Sequence, residues 1–123
     1  MIITNQPDIK TGKLTKHSLR IINNDIKLFF SIDDVFVCTH NKFDKCHCRK
    51  PKIGMIKLAE KKWNLDLKKS YLIGDRWKDI DAGNKAGCKT IYIDYNYDEK
   101  KPKKPIYSFK SLTQMLCQVE KII

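Results

Sequence analysis

Short apolar runs along the chain predict four β-strands. They stand at residues 1–4, 34–38, 71–73 and 89–94, and each leads into polar or glycine-containing turns. Short runs rich in Ile, Val, Tyr and Phe, bounded by turn-forming residues, are typical of strands buried in a sheet.

Between these runs, apolar residues spaced by three and four predict helices. Thr15 is a suitable N-cap for the first helix, and Pro51 suits the first turn of the second. A short third helix is predicted over residues 79–86. A last helix follows the capping box that Ser111 and Gln114 form. It is predicted to bury its apolar positions, Leu112, Met115, Leu116, Val119 and Ile122, and Cys117 is predicted to be an ordinary buried residue on the same face.

Strands that alternate with helices predict an α/β fold, a three-layer open parallel sheet with helices on both faces. The length, 123 residues, favours one domain over residues 1–123. In such sheets ligands gather beyond the carboxyl ends of the strands. Polar groups stand at three of these ends: Thr4-Asn5-Gln6, a Cys/His cluster followed by Arg49-Lys50, and Gly74-Asp75-Arg76.

The composition argues against disordered and membrane-spanning classes, since 41% of residues are hydrophobic and 32% are charged. The apolar runs are far shorter than the ~18 residues that a spanning helix needs. No secretory pattern is recognised, so a cytoplasmic location without membrane association is predicted.

The net charge of +11 favours an anionic partner. The lysines are scattered over the whole chain, and the dense run at 100–104 lies within DEKKPKKP, which contains two acids and two prolines. Nucleic-acid surfaces more often interleave basic and aromatic residues on one face. The pattern therefore favours a solvated lysine-rich surface over a nucleic-acid interface.

A cluster of metal ligands lies in the stretch CTHNKFDKCHCRKP. In extended chain, residues two apart face the same way, so Cys38 pairs with His40 and Cys46 with Cys48. Three sulfurs and one nitrogen are typical of closed structural zinc sites. The residues predict a zinc-binding loop at 38–48, with a cluster of free thiols as the alternative.

Two further motifs have chemical and structural interpretations. Asp75, after a strand and Gly74, suits a Mg²⁺ ligand, and Asp79 suits a residue that orients the metal's waters. The alternative is a strand–turn–helix junction in which Asp79 caps the helix. Residues 4–6 can hold a phosphate oxygen or can form a polar turn.

Arg49 and Lys50 are candidates for an anion clamp. Arginine offers a planar fork to phosphate, whereas lysine offers a point charge. Their position beside the metal ligands distinguishes them from the other basic residues, because a zinc-bound loop would fix where they point.

With these residues assembled, the chain resembles the haloacid dehalogenase superfamily. The matching segments are TNQPDIKTGKLT, CTHNKFDKCHCRKPKIGM and YLIGDRWKDIDAGNKAGCKTIYID. They resemble the subgroup of D-glycero-D-manno-heptose 1,7-bisphosphate 7-phosphatase, with histidinol-phosphatase domains as close kin. The runs KIGM and DAGNKAGCKT look more like the heptose enzymes.

The resemblance implies a Mg²⁺-dependent phosphatase, a phosphoric monoester hydrolase with a phosphorylated sugar as substrate; a monomer is expected. It implies that Thr4 and Asn5, with Gln6 beside them, bind the transferred phosphate. Arg49 and Lys50 would hold substrate, with Lys50 also stabilising charge at the nucleophile. The remaining implied roles are Asp75 as Mg²⁺ ligand, Arg76 as substrate contact, and Cys38, His40, Cys46 and Cys48 as ligands of structural Zn²⁺.

The family's nucleophile motif, Asp-x-Asp-Gly-Thr after an apolar strand, is not found in the sequence. Asp79-Ile80-Asp81 has similar letters but falls on a predicted helix. The chain is therefore expected to be incomplete at its N-terminus and to lack a central strand. The strands ending at Thr4 and Ile73 would then pair directly or leave a gap, and catalysis by these residues alone would be weak.

Two other functions remain open. One is a histidinol-phosphatase-like enzyme. The other is a non-catalytic, zinc-stabilised module that binds an anionic sugar or nucleic acid.

Overall fold

The structure, a computed structural model, describes residues 1–122. Contacts between Cα atoms divide it into two compact units, Met1–Asn64 and the residues from Leu65 onward. Each unit contains its own parallel sheet. A single domain over residues 1–123 stays a prediction.

The first unit is built on a two-stranded parallel sheet. Its elements are β1 (Ile2–Asn5), α1 (Lys16–Phe29), β2 (Val35–Cys38) and α2 (Gly54–Trp63), with a short 3₁₀ helix at Pro7–Ile9. The register pairs Asn5 with Cys38, the last residues of the two strands, so both strands end at the same height in the sheet. The polar residues that follow the two strands therefore begin side by side. The predicted cap of α1 is confirmed, because the Thr15 hydroxyl accepts a hydrogen bond from the Ser18 amide at 3.0 Å.

The second unit is built on a three-stranded parallel sheet with the order β3-β4-β5. Its elements are β3 (Tyr71–Gly74), α3 (Trp77–Ala86), β4 (Lys89–Ile93), β5 (Tyr107–Phe109), α4 (Leu112–Leu116) and α5 (Val119–Ile122), with a 3₁₀ helix at Leu67–Lys69. The core combines sheet and helix residues: Ile91, Ile93, Phe109, Met115 and Ile122. Met115 and Ile122 thus cover this sheet, as predicted for the last helix, whereas Leu112 and Leu116 are exposed, which corrects the prediction of their burial.

The parallel pairing and the four predicted strands are confirmed, and three details differ. The strand β5 was not predicted. The predicted last helix is divided into α4 and α5 around Cys117, whose amide bonds back to Thr113 O at 3.0 Å. Cys117 is exposed rather than buried. No helix in residues 1–122 has the length and apolar character of a membrane span.

The start of α2 lies at Gly54 rather than at Pro51, which corrects the prediction of Pro51 in the first helical turn. Residues 49–53 form turns instead, and the Gly54 amide donates to His47 O at 3.0 Å. A Cβ on residue 54 would lie 2.4 Å from that carbonyl oxygen. Because the chain returns so close to His47, position 54 requires glycine, and α2 begins only there.

The strands β1 and β3 belong to separate sheets within the described residues, so the direct pairing considered from the sequence does not form. In this structure β1 pairs with β2, and β3 pairs with β4.

A buried carboxylate stabilises the first unit. Asp34 Oδ2 accepts hydrogen bonds from Lys62 Nζ at 2.6 Å and Trp63 Nε1 at 3.0 Å, while Oδ1 accepts from the Val35 amide at 2.9 Å. The Lys62 bond, helped by Trp63, lowers the pKa of Asp34 from 3.8 to about 2. The end of α2 is thereby fixed to the start of β2.

We expect Asp34→Asn to reduce the free energy of unfolding by about 1–2 kcal/mol at pH 7. Because the folded pKa is depressed, the stabilisation is present above pH ~4 and is lost as the pH falls towards 2. Urea unfolding of both proteins at pH 7 and pH 2.5 measures this difference. A difference that stays constant between the two pH values would contradict the assignment.

Candidate active site and metal centre

The four predicted zinc ligands meet at the end of β2. Cys38 is fully buried there, and one ligand atom from each of Cys38, His40, Cys46 and Cys48 lies within 4.8 Å of all the others. His40 Nδ1 is 3.5 Å from Cys38 Sγ and 3.2 Å from Cys48 Sγ. Cys38 Sγ and Cys46 Sγ are 3.9 Å apart. The predicted clustering of these side chains is therefore present.

The donor set fits a tetrahedral zinc ion. Zn–S bonds of about 2.3 Å and a Zn–N bond of about 2.0 Å place neighbouring ligand atoms about 3.6–3.8 Å apart. The separations of 3.2, 3.5 and 3.9 Å bracket that range. The sulfurs of Cys38 and Cys46, at 3.9 Å, are too far apart for a disulfide.

The thiols differ in their acidity in the metal-free chain. Burial, together with the neighbouring Cys48, raises the pKa of Cys38 to about 12. Burial would also raise the pKa of Cys46, but backbone hydrogen bonds from Arg49 and Cys48 outweigh it and lower the pKa. A cation that attracts thiolates would reverse the penalty on Cys38, since zinc binds the deprotonated form.

Three hydrogen bonds fix the position of Lys50 within the first unit. Asn5 makes a reciprocal pair with its backbone: the Lys50 amide donates to Asn5 Oδ1 at 3.1 Å, and Asn5 Nδ2 donates to Lys50 O at 3.3 Å. The ammonium group donates to Ile3 O at 2.9 Å. The predicted anion clamp is thus connected directly to β1, through Ile3 and the strand's last residue, Asn5.

The other members of these motifs join the same network. Arg49 Nη1 donates to His40 O at 2.9 Å, which ties the guanidinium to the metal-ligand loop. Gln6 Nε2 donates to Thr4 Oγ1 at 3.1 Å, and the Gln6 amide donates to Cys38 O at 2.7 Å. The first unit therefore brings together Thr4, Asn5, Gln6, Arg49, Lys50 and the four cluster residues.

The remaining predicted site residues lie between β3 and α3 in the second unit. Asp79 Oδ2 accepts a hydrogen bond from the Arg76 amide at 3.0 Å. In this structure Asp79 therefore makes the contact expected of a helix cap. The helix consequently begins at Trp77, two residues before its predicted start. A Cβ on Gly74 would lie 2.2 Å from the Asp79 side chain, which explains the glycine. That Asp75 and Arg76 face a common crevice with Lys50 stays a prediction.

Two residues that contact this motif were not predicted from the sequence. The Tyr97 hydroxyl donates to Asp75 Oδ2 at 2.9 Å. Glu99 accepts from Arg76 through both oxygens, from Nε at 2.8 Å and from Nη2 at 2.7 Å. Neither residue belongs to a recognisable motif, and the sequence signal around them is that of a surface loop.

A scan against family models matches residues 47–115 to the HAD-hydrolase-like family. The chain belongs to this family.

Curated relatives carry two kinds of name. The D-glycero-alpha-D-manno-heptose-1,7-bisphosphate 7-phosphatases of Photorhabdus laumondii and Campylobacter jejuni are each 36% identical, over 76% and 94% of this chain. The histidine biosynthesis bifunctional protein HisB of Blochmanniella floridana is 35% identical over 82% of the chain. The chain spans 57%, 67% and 30% of the lengths of these relatives, respectively.

A solved structure has the same fold. The D,D-heptose 1,7-bisphosphate phosphatase of B. bronchiseptica, described as complexed with magnesium and phosphate, superposes with a TM-score of 0.84 at 22% identity. The match covers 99% of this chain and 74% of that one. The predicted α/β fold of haloacid dehalogenase type is confirmed.

Proposed function

We propose that this chain is the substrate-binding part of a Mg²⁺-dependent sugar-phosphate phosphatase of the D-glycero-D-manno-heptose 1,7-bisphosphate 7-phosphatase kind. The observation that carries the proposal is the fixed position of Lys50 beside the Cys/His cluster. Its backbone is paired with Asn5, the last residue of β1, and its ammonium group donates to Ile3 O within the same strand. The names of the 36%-identical relatives support the same substrate class.

In this proposal the first unit binds the phosphate that is transferred. Thr4, Asn5 and Gln6 supply hydroxyl, amide and backbone groups, while Arg49 and Lys50 supply positive charge. A phosphate dianion loses its hydration on binding, and a lysine fixed in advance compensates without further ordering. Lys50 would also stabilise the negative charge that develops during transfer.

In this proposal the two metal ions, Zn²⁺ and Mg²⁺, would bind to different residues. Cys38, His40, Cys46 and Cys48 would hold a structural zinc ion, because four protein ligands leave it no open position for chemistry. Asp75 would hold Mg²⁺, since a carboxylate oxygen is a hard ligand and only Oδ2 is engaged by Tyr97. Bound Mg²⁺ would supply positive charge against the phosphate oxygens.

The attacking group is not among these residues. The reaction class uses an aspartate that becomes phosphorylated, with a second one as general acid and base. Asp79 and Asp81 lie within α3, and Asp79 is engaged with the Arg76 amide. We therefore assign binding and charge stabilisation, but not nucleophilic attack, to residues 1–123.

Binding of D-glycero-D-manno-heptose 1,7-bisphosphate with Mg²⁺ tests the proposal. Lys50→Ala should weaken binding about tenfold or more, because a charge-assisted hydrogen bond to phosphate is lost. Isothermal titration calorimetry measures it. Lys16→Ala, which removes an exposed lysine near the start of α1, is the charge-matched control and should leave binding unchanged.

An equal loss in both variants would attribute binding to net charge alone and contradict the assignment of Lys50. The similarity to HisB favours histidinol phosphate as a second ligand to compare. Tighter binding of histidinol phosphate than of the heptose bisphosphate would indicate a histidinol-phosphatase-like enzyme instead.

A further inference from the structure

A single segment, residues 95–101, engages both of the site residues that follow β3. Glu99 binds the Nε–Nη2 edge of the Arg76 guanidinium at 2.8 and 2.7 Å. The ring of Tyr97 lies under the guanidinium, 4.8 Å from Cζ to the ring centroid. The Tyr97 hydroxyl donates to Asp75 at 2.9 Å. One edge and one face of the Arg76 guanidinium are therefore occupied by this segment.

Hydrogen bonds to Asp94 hold the two ends of the segment together, which keeps Glu99 near Arg76. Asp94, directly after β4, accepts hydrogen bonds from the Asn96 amide at 2.9 Å, Lys101 Nζ at 2.7 Å and Lys110 Nζ at 3.0 Å. The lysine bonds hold the pKa of Asp94 well below its usual range, which keeps the carboxylate charged. A tethered partner behaves as if it were present at high local concentration.

The contact between Glu99 and Arg76 has the features of a ligand contact. The Glu99 side chain is only 15% exposed, whereas the Arg76 side chain is 52% exposed. The hydrogen bond from Arg76 lowers the pKa of Glu99, and the bond from Glu99 raises the pKa of Arg76. A bidentate fork is also how arginine binds phosphate and carboxylate ligands. Glu99 thus occupies the Nε–Nη2 edge, one of the edges through which arginine binds an anionic ligand.

We propose that Glu99 is a specificity residue, an internal carboxylate that competes with anionic ligands for the Nε–Nη2 edge of Arg76, so that phosphate monoesters bind at that edge and carboxylates do not. This inference rests on the proposed function, in which Arg76 contacts the substrate.

The selection follows from what replaces the internal contact. An external carboxylate would replace Glu99 with an equivalent bidentate contact to Arg76. It would lack the advantage that Glu99 has from being attached to the same chain. A phosphate monoester carries a charge of about −1.5 to −2 and three acceptor oxygens, so it gains more from Arg76 than Glu99 does. With glutamine in place of Glu99, the internal competitor is uncharged, and both classes of anion reach the arginine.

The Arg76 Nε–H resonance of the full 123-residue chain provides a residue-specific measurement. It is followed by NMR during titration with inorganic phosphate and, separately, with acetate at constant ionic strength, because exposed ion pairs are screened by salt. In the wild-type chain, phosphate should shift the resonance and acetate should not. In Glu99→Gln, phosphate should bind about three- to tenfold more tightly and acetate should now shift it.

Two variants control for charge and shape. Glu60→Gln removes the same charge from α2, where Glu60 pairs with Lys57 at 2.8 Å, and should keep the wild-type selectivity. Glu99→Asp keeps a carboxylate and should remain closer to the wild-type chain than to Glu99→Gln. The proposal is overturned if Glu99→Asp responds to phosphate and acetate as Glu99→Gln does. It is also overturned if Glu60→Gln responds as Glu99→Gln does.

The titrations also separate this inference from the function on which it rests. If phosphate shifts Arg76 equally in the wild-type chain and in Glu99→Gln, Arg76 binds phosphate and the specificity role of Glu99 is refuted. If phosphate shifts Arg76 in neither, the substrate role of Arg76 fails and the inference fails with it.

Discussion

Replacing Cys46 with Ser should abolish stable zinc binding and lower the melting temperature of the first unit by about 10 °C or more. Binding of structural zinc to a folded site contributes directly to folding, and removing one of four ligands opens the coordination sphere. A loss of about 2 kcal/mol already corresponds to roughly 8–16 °C for a unit of this size. Elemental analysis of the purified chain and calorimetric melting measure the two effects.

Cys117→Ser is the matched control, because Cys117 is exposed and does not belong to the cluster. It should retain one zinc ion per chain and the wild-type melting temperature. Full zinc occupancy in Cys46→Ser would contradict the four-ligand assignment. Chelation of zinc from the wild-type chain should also move the amide resonances of Arg49 and Lys50, since the loop that carries them loses its constraint.

The second large effect concerns turnover. This chain should release phosphate from D-glycero-D-manno-heptose 1,7-bisphosphate at least about 10⁴-fold more slowly than the Campylobacter jejuni relative does. Removing a nucleophile eliminates most of an enzyme's rate, while positioning and charge stabilisation leave a small remainder. A colorimetric phosphate assay with Mg²⁺ measures the rate, and the Campylobacter jejuni relative serves as the positive control.

Turnover within tenfold of that relative would show that an aspartate of this chain attacks phosphorus. Acid trapping of a phosphorylated chain, followed by peptide mapping, would then identify it. Asp75→Asn provides the internal control, because a background reaction from a contaminating phosphatase would not respond to it.

The sequence predicted best where spacing and chemistry agree. The ligands at Cys38, His40, Cys46 and Cys48 form two i, i+2 pairs, and such pairs face the same way wherever the chain is extended. The strands before them and after them were found because apolar runs next to turns are local signals. The connection between Asn5 and Lys50 followed only indirectly, from both residues lying beyond strand ends.

The parts that were missed depend on contacts between distant residues. β5 is three residues long and follows a lysine- and proline-rich run, so pairing with β4 rather than local pattern defines it. The start of α2 depends on the close approach of Gly54 to His47. The partners of Asp75 and Arg76 lie more than twenty residues away in a segment with no motif.

The reciprocal pair between the Asn5 side chain and the Lys50 backbone has a chemical consequence for the lifetime of the protein. Asn5 uses a donor and an acceptor at once, and its primary amide supplies both. Hydrolysis of that amide to aspartate would set an oxygen against the Lys50 carbonyl oxygen and break one of the two bonds. Ageing by deamidation at this one position would therefore loosen the lysine even though its own side chain remains intact.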